Sequence, residues 1–531
     1  MPPLLSLILA VVFLADPTNA VVRLGDTEAG SRPIRPGYAF GAADPHPRPV
    51  YDVRDYGARG DGLNDETSAI QSAAIAARER GGGVLYFPAG IYMTRQFLIG
   101  DRTWVKGDGA DATILRSAET GRRGLITNED HLTGNHHLSV SDLTIERTVT
   151  DDHGFHDHIF FENCRFVRVT HVRVVGAATG PTAPVGNKGI TVEASRHILI
   201  LHNEVRNVSD NSIAVTWRGT RSTGLARIAD NLIEVPGTWN HSGIIVTADH
   251  SKIVGNVLAA PPGGTATLIE LGDDVRSVLV QGNSAVHGGL LTALSGGWFR
   301  IIGNRALGGG INLSSVNGQQ SRHTLVDNDI VEGNIRLKRE GEADFSGVLL
   351  ARNRVARSTA DFGIKIEGVG HVTAVGNVVR DCENGGFGVF PGERPNVVIR
   401  DNVARANGRV ASGGNGDRAG FYFEGPAAEA SGLVIRTNVA VGNPGPAYFF
   451  EQPQGYVFIR NEGEENGRGL IGYGNPTLRG EMPFLFVDMA ASGSPEGVVF
   501  ASPGSLYERV DVEGAMYVKL RGTGSTGWWP R

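Results

Sequence analysis

Lys188-Gly-Ile-Thr-Val-Glu-Ala-Ser-Arg-His-Ile-Leu-Ile-Leu-His-Asn-Glu-Val-Arg-Asn-Val208 contains two short alternating runs separated by a turn. Ile190 and Val192 point one way, and Thr191 and Glu193 the other. After the turn, Ile198 and Ile200 repeat the alternation, and Asn203 follows. A period of two over so few residues reads as β-strand. The unit recurs: an asparagine follows an apolar run at Asn203, Asn231, Asn256, Asn283, Asn304, Asn328, Asn353, Asn377, Asn402, Asn438 and Asn461. The step is roughly 25 residues, within the range of solenoids. An inward asparagine at a turn can bond the backbone and its counterpart one coil away, about 4.8 Å along the axis.

A second column of strands aligns beside the first: Ile190-Thr-Val, Ile213-Ala-Val, Ile244-Ile-Val, Ile269-Glu-Leu, Ile311-Asn-Leu, Ile335-Arg-Leu, Ile364-Lys-Ile and Phe421-Tyr-Phe. The outer residues are always apolar and the middle one varies. The expectation is a continuous core under the outer pair, with the middle residue facing solvent on a flat sheet. This is an all-β chain, a right-handed parallel β-helix of about a dozen coils.

The 74 glycines among 531 residues suit short strands and turns. A net charge of −6 gives no reason to expect nucleic acid or an anionic membrane as partner. Residues 1–20 read as a secretory signal peptide, with Leu4 to Ala15 as apolar core and Thr18-Asn-Ala20 at the cleavage site, although the n-region lacks Lys and Arg. The protein is therefore expected to be secreted or periplasmic, without stable membrane insertion. Residues 21–50 read as a linker, 51–475 as the β-helix with its N-terminal cap, and 476–531 as a linker and small β-hairpin module. Cys164 and Cys382 fall eight or nine coils apart, too far for a disulfide, so two free thiols are expected.

The run Asp55-Tyr-Gly-Ala-Arg-Gly-Asp-Gly, the helical stretch from Asp65 to Ala76, and Gly81-Gly-Gly-Val-Leu-Tyr-Phe-Pro-Ala-Gly-Ile-Tyr92 resemble the N-terminal signature of the pectate-lyase-like β-helix superfamily, of the pectate lyase 3 and rhamnogalacturonase-epimerase type. The resemblance implies a helix plugging the open end of the coil stack. Asn64 or Asp65 is placed to cap that helix, with acids in its first turn. The C-terminal stretch is similar to short terminal modules of phage tail proteins and polysaccharide-degrading proteins. It could cap the last coil, form an oligomer, or bind glycan through Trp528 and Trp529.

Chemistry in a β-helix comes from columns of outward residues on adjacent coils. The strands were aligned on Ile159, Ile190, Ile213, Ile244 and Ile269. Three places after stand Glu162, Glu193, Thr216 and Thr247; two before stand Asp157, Lys188, Asn211 and Ser242. Three before stand His156, Asn187, Asp210 and His241; five after stand Cys164, Ser195, Arg218 and Asp249. Trp217 and Trp239 are placed near the rim to stack on sugar faces, with His156 and Asp249 as further substrate contacts.

Two mechanisms fit. In a lyase acting on a uronic acid, Arg218, or a Ca²⁺ held by Asp157, Glu162 and Glu193, would neutralise the sugar carboxylate, and Lys188 or His241 would take the neighbouring proton. The cofactor is accordingly either none or Ca²⁺. In a hydrolase, Glu162 and Glu193 would be the working pair, about 5 Å apart at the backbone. Alginate epimerases carry an Asp-Pro-His element after a Gly-aromatic pair. The aligned strand here reads Gly189-Ile-Thr-Val-Glu193, and Gly154-Phe-His-Asp-His158 matches only superficially, so epimerisation is disfavoured. The Asp-rich pair of polygalacturonase-type hydrolases is also unmatched. A second patch, Glu270, Asn312, Arg336, Lys338, Lys365 and Glu367, offers Arg336 and Lys365 as a track for an anionic chain. The reading is a polysaccharide lyase on an acidic glycan; the alternatives are a glycosidase or glycosyl-transferring enzyme, and a non-catalytic glycan-binding surface or tail-like protein.

Overall fold

Inward Ile, Val, Leu and Phe at every second strand position leave the chain one way to bury them all, which is to coil and stack. Each such side chain contributes about 1.5–3 kcal/mol when fully buried. The computed structural model describes residues 48–530 except 118–123, 149–156, 178–186, 218–222, 237–241, 265, 360, 391, 393–395, 411–417, 425–431, 452–455, 474–485, 492, 498–502, 504, 510, 513–514 and 522–525. The expected signal peptide and nearly all of the linker lie outside these residues.

The stack has a 15-stranded face running from Phe97–Ile99 to Ile471–Tyr473, and a 34-stranded sheet that forms the remaining walls. The aligned strands pair in parallel and in register: Ile159 with Ile190, then Ile213, Ile244 and Ile269. The column continues through Leu291, Ile311, Ile335, Ile364, Phe387, Phe421, Tyr448 and Ile471. The inward residues of these strands belong to one core cluster. Toward the C-terminal end that core becomes aromatic, with Phe387, Phe421 and Tyr448 stacked at 4.8 and 5.1 Å.

The asparagine ladder runs unbroken from Asn203 to Asn461. From Asn231 onward each Oδ1 accepts two bonds from the asparagine one coil earlier, one from its backbone N–H and one from its side-chain amide, at 2.9–3.1 Å. Each amide also donates to a carbonyl of the preceding coil, as Asn328 does to Ile301. The residue before each asparagine turns the corner with a left-handed φ, for example His202, Asp230 and Asp327 at 56–57°. Such a φ costs an L-residue roughly 1–2 kcal/mol, and the buried ladder offsets it. A shorter ladder, Asn407 to Asn443 to Asn466, runs beside the first, and Asn407 accepts the N–H of Cys382. Both cysteines are buried free thiols, and burial pushes them up to about 12 for Cys164 and about 11 for Cys382.

The plug is the helix Thr67–Glu79, which buries Ile70, Ala73, Ala74 and Ala77. The N-cap position falls to Glu66, which makes no side-chain cap bond, rather than to Asn64 or Asp65; Asp65, one residue earlier, accepts the N–H of Thr67 at 3.1 Å. The first turn itself carries no acid, because the helix starts one residue beyond Glu66. Glu66 is spent instead on the glycine-rich turn, where its carboxylate accepts the N–H groups of Arg59 and Gly60. At the other end, Phe486–Ala491 pairs with the last long wall strand and with Leu506–Arg509, which begins an antiparallel meander through Met516–Lys519 to Trp528–Pro530. Tyr507 and Trp528 join the main core, so Trp528 caps the last coils, and of the two tryptophans only Trp529 faces solvent.

Candidate functional site

Glu162 and Glu193 stand directly opposite one another on adjacent strands, with Thr216 next in line. Both carboxylate residues are nearly buried, at 8% and 7% exposure. Asn128 fixes the backbone of the first: its Oδ1 accepts the Glu162 N–H at 2.9 Å, and its amide donates to the Glu162 carbonyl at 3.0 Å. On the other side of the same strands stand Asp157, fully buried, and Lys188, half-buried.

Between these two rows lies the column Thr127, Phe160, Thr191, Ala214. These middle residues were expected to face solvent, and they are buried. Thr191 and Ala214 are short side chains between the Glu162–Glu193 row and the Lys188 row, and we take this strip as the floor of a candidate trench. The near row leans inward, as Ser242 shows by hydrogen-bonding Glu270 of the next coil. From Ile245 to Lys365 the middle residues are half-buried. Tyr422 and Phe449 are buried again, stacked on each other at 5.6 Å. Thr191 Oγ1 is buried without a hydrogen-bond partner, which is rare for a hydroxyl in a stable fold.

Of the three residues put forward for Ca²⁺, Glu162 and Glu193 are register partners, and Asp157 stands just ahead of the strand Ile159–Glu162. Among the described residues no three His, Cys, Asp or Glu side chains come together as a metal site. The column five places after the alignment residue is corrected. Asn163 and Ala194 take left-handed φ values of 57° and 49° and turn the chain away from the sheet. Cys164 and Ser195 are therefore buried, with Ser195 Oγ accepting the Cys164 N–H at 2.8 Å. Asp249 is drawn to a wall, where its carboxylate accepts the Arg276 N–H at 2.8 Å. Trp217 stands at the rim, 48% exposed. His156, Arg218, Trp239 and His241 lie outside the described residues.

His158 is also settled by burial. Its ring nitrogens bond the carbonyls of Lys188 at 2.9 Å and Val175 at 3.2 Å, and burial depresses its pKa to about 4. It is a neutral core histidine and cannot reach the trench.

One residue at the site was not singled out from sequence. His131 Nε2 lies 2.8 Å from Thr127 Oγ1, its Nδ1 lies 3.7 Å from Glu162 Oε2, and its ring meets Phe160 edge-on at 5.4 Å. The sequence alignment began at Ile159 and so omitted the coil that carries it.

In the second patch, Arg336 and Lys365 are register partners, as expected. Their charges are already matched. Arg336 Nε lies 2.8 Å from Glu367 Oε2, and Lys365 bonds both Asp361 and Glu367. Burial alone would lower the Lys365 ammonium, but its hydrogen bonds to Asp361 and Glu367 outweigh that and raise it.

A polar trench on one face of a plugged, asparagine-laddered solenoid is a recognisable class of scaffold. The chain matches the family described as Rhamnogalacturonase A/epimerase, pectate lyase-like, over residues 50–224, and the right-handed β-helix region over residues 238–462. It belongs to the pectate-lyase-like right-handed parallel β-helix superfamily. It is 33% identical over 106 residues to alginate lyase 7 of Azotobacter vinelandii, covering 18% of this chain and 12% of that protein. It is 57% identical over 42 residues to mannuronan C5-epimerase AlgE1 of the same organism, covering 8% and 3%. The chain thus aligns with only a small part of these relatives. The A-module of the Azotobacter vinelandii mannuronan C-5 epimerase AlgE6 superposes with a TM-score of 0.51 at 15% identity, covering 66% of this chain and 98% of that one, a likeness of fold. Among the described residues no helix is long and apolar enough to cross a membrane.

Proposed function

We propose that the protein is a secreted enzyme that cleaves an acidic polysaccharide by β-elimination, with its chemistry in the trench of the N-terminal coils. The observation that carries this reading is the pairing of banks. Glu162 and Glu193 are register partners at one end of their strands, Lys188 precedes the other end, and Thr191 lies buried between. A uronate ring lying over Thr191 would have Lys188 on one side to take the proton beside its carboxylate. The carboxyl pair on the other side would give a proton to the departing glycosidic oxygen. The C–O bond breaks as the ring double bond forms, so one proton is taken and one is returned. Arg218 is assigned to the sugar carboxylate, because a bidentate fork matches its geometry. Trp217 would stack on a flanking ring. The similarity of part of the chain to an alginate lyase and to mannuronan epimerases supports a uronate polymer as substrate.

A second reading, hydrolysis by a retaining mechanism, is favoured by one fact: Glu162 and Glu193 are in register on adjacent strands, near the carboxyl separation such enzymes use. Incubation with alginate, pectate and neutral glycans separates the two. Elimination yields the ultraviolet absorbance of an unsaturated uronate with each new reducing end, whereas hydrolysis yields reducing ends alone. Binding without either product would overturn both in favour of a glycan-binding protein.

A further inference from the structure

We propose that His131 is the proton relay of the trench, moving protons between solvent and the buried Glu162 carboxylate; this rests on the reading that Glu162 works in the reaction. Glu162 has little direct access to water, with its side chain 10% exposed, yet an acid that gives up a proton each turnover must regain one. His131 is the group placed to supply it. Its side chain is 39% exposed, and the nitrogen that faces Glu162 is Nδ1.

The ring is held rather than free. Thr127, buried in the floor, bonds Nε2 at 2.8 Å; Phe160 packs against the ring edge-on; and the Asn163 amide donates to the His131 carbonyl. An ordinary surface histidine has no such anchors and samples several rotamers. With Nε2–H donating to Thr127 Oγ1, Nδ1 presents its lone pair to Glu162. The 3.7 Å span closes by rotation of the carboxylate about its soft terminal torsion.

The step balances simply. The Oε2–H bond of Glu162 breaks, the Nδ1–H bond forms, and carboxylate and imidazolium result. The imidazolium then gives its Nε2 proton to water reaching the exposed side of the ring, Thr127 Oγ1 turning to donate to the vacated Nε2, and the reverse sequence, a proton taken at Nε2 and the Nδ1 proton passed to Glu162, recharges the acid. Imidazole is the side chain suited to carry a proton both ways near neutral pH. Of the nearby acids, Asp130 in the same turn is spent on the Leu132 and Thr133 N–H groups, and Glu129 pairs with Arg78. Among the described residues Glu162, on the next coil, is a charged group that faces the ring.

The test is His131→Ala in the full chain, assayed on the uronate polymer that the wild type cleaves. The expected result is a kcat lowered about 10- to 100-fold, a KM within a few-fold, partial restoration by added imidazole, and loss of one limb of the kcat–pH profile. Thr127→Val should lower kcat less, at unchanged Tm. Full activity of His131→Ala, or a loss that imidazole does not relieve and that tracks a fall in Tm, overturns the relay. Glu162→Gln keeps the two ideas apart. Wild-type turnover in that variant overturns the role of Glu162, whereas an inactive Glu162→Gln beside a fully active His131→Ala overturns the relay alone. Independently of any activity, the NMR ring resonances of His131 should move in Glu162→Gln; unmoved resonances also overturn the proposal.

Discussion

The N-terminal and middle coils present the same sheet and the same register, yet they hold their charged side chains at different depths. Around Glu162 and Glu193 the polar side chains are buried beside a floor with an unpartnered hydroxyl at Thr191. Around Arg336 and Lys365 every charge is met by a neighbour one strand or one turn away: Arg336 and Lys365 by Glu367, Lys365 again by Asp361, Lys338 by Glu340. A charge satisfied within its own ladder has little left for a ligand, and surface pairs of this kind contribute little to stability. Buried polar groups kept next to an unsatisfied one cost stability, and folds retain such arrangements mainly where function requires them. On the proposed function, chemistry belongs to the first region and structure to the second.

The largest expected effect follows directly. Glu193→Gln should lower turnover by about 10²–10⁴-fold, while Arg336→Gln changes it by no more than a few-fold. Equal losses in steady-state assays would erase the distinction between the regions.

Next comes acid stability, to which both regions contribute one buried imidazole. His158 is held near 4 and His323 near 3, both by burial. An unfolded histidine titrates near its ordinary 6.5, so below that pH the unfolded chain binds protons that the folded chain refuses. Stability is therefore full above about pH 6.5 and falls as the pH drops toward 4 and then 3, by on the order of 3–5 kcal/mol for each ring at full effect. His323→Phe, between Phe299 and Phe345, should flatten the lower part of this curve in denaturant melts at stepped pH. A curve of unchanged shape would mean that His323 is not the neutral core group described.

Asn328→Leu should cost about 3 kcal/mol or more. It removes an acceptor for two N–H groups of Asn304 and donors to Ile301 and Asn353, leaving buried groups unpaired. An unchanged Tm would contradict the ladder as a source of stability.

The smallest expected effect is the most discriminating. Thr191→Val deletes a buried hydroxyl that has no partner, so Tm should hold or rise slightly. If the trench floor meets substrate, turnover should nonetheless fall. A variant equal to wild type in both respects would make Thr191 an ordinary floor residue.

Much of this was legible from sequence, for a physical reason. Asparagines one coil apart can bond each other only if the chain coils, so their spacing alone defined the stack from Asn203 to Asn461. The paired inward residues, Ile190 and Val192 over Ile213 and Val215, fixed the register of the face, because a one-residue slip would have put apolar groups outside. The coils carrying Leu291, Phe387 and Tyr448 escaped notice because their strands depart from the Ile-x-Val pattern. Depth was not legible. A column alignment tells which residues are neighbours, but not that Thr191 and Asp157 are fully buried. Nor does it show where a strand ends, and the left-handed turns at Asn163 and Ala194 are what removed Cys164 and Ser195 from the site. His131 was hidden for a related reason: its strand, Ile126–Asn128, is three residues long and offers little period to read.

The central claim is that turnover belongs to the trench and not to the middle coils, and two lysines test it most directly. Lys188→Ala and Lys365→Ala should be assayed side by side on the same uronate polymer, with folding checked by thermal melt. The account predicts that Lys188→Ala abolishes turnover in a folded protein, whereas Lys365→Ala stays within a few-fold of wild type. Loss of turnover in folded Lys365→Ala with activity retained in Lys188→Ala would contradict it and move the site to the middle coils.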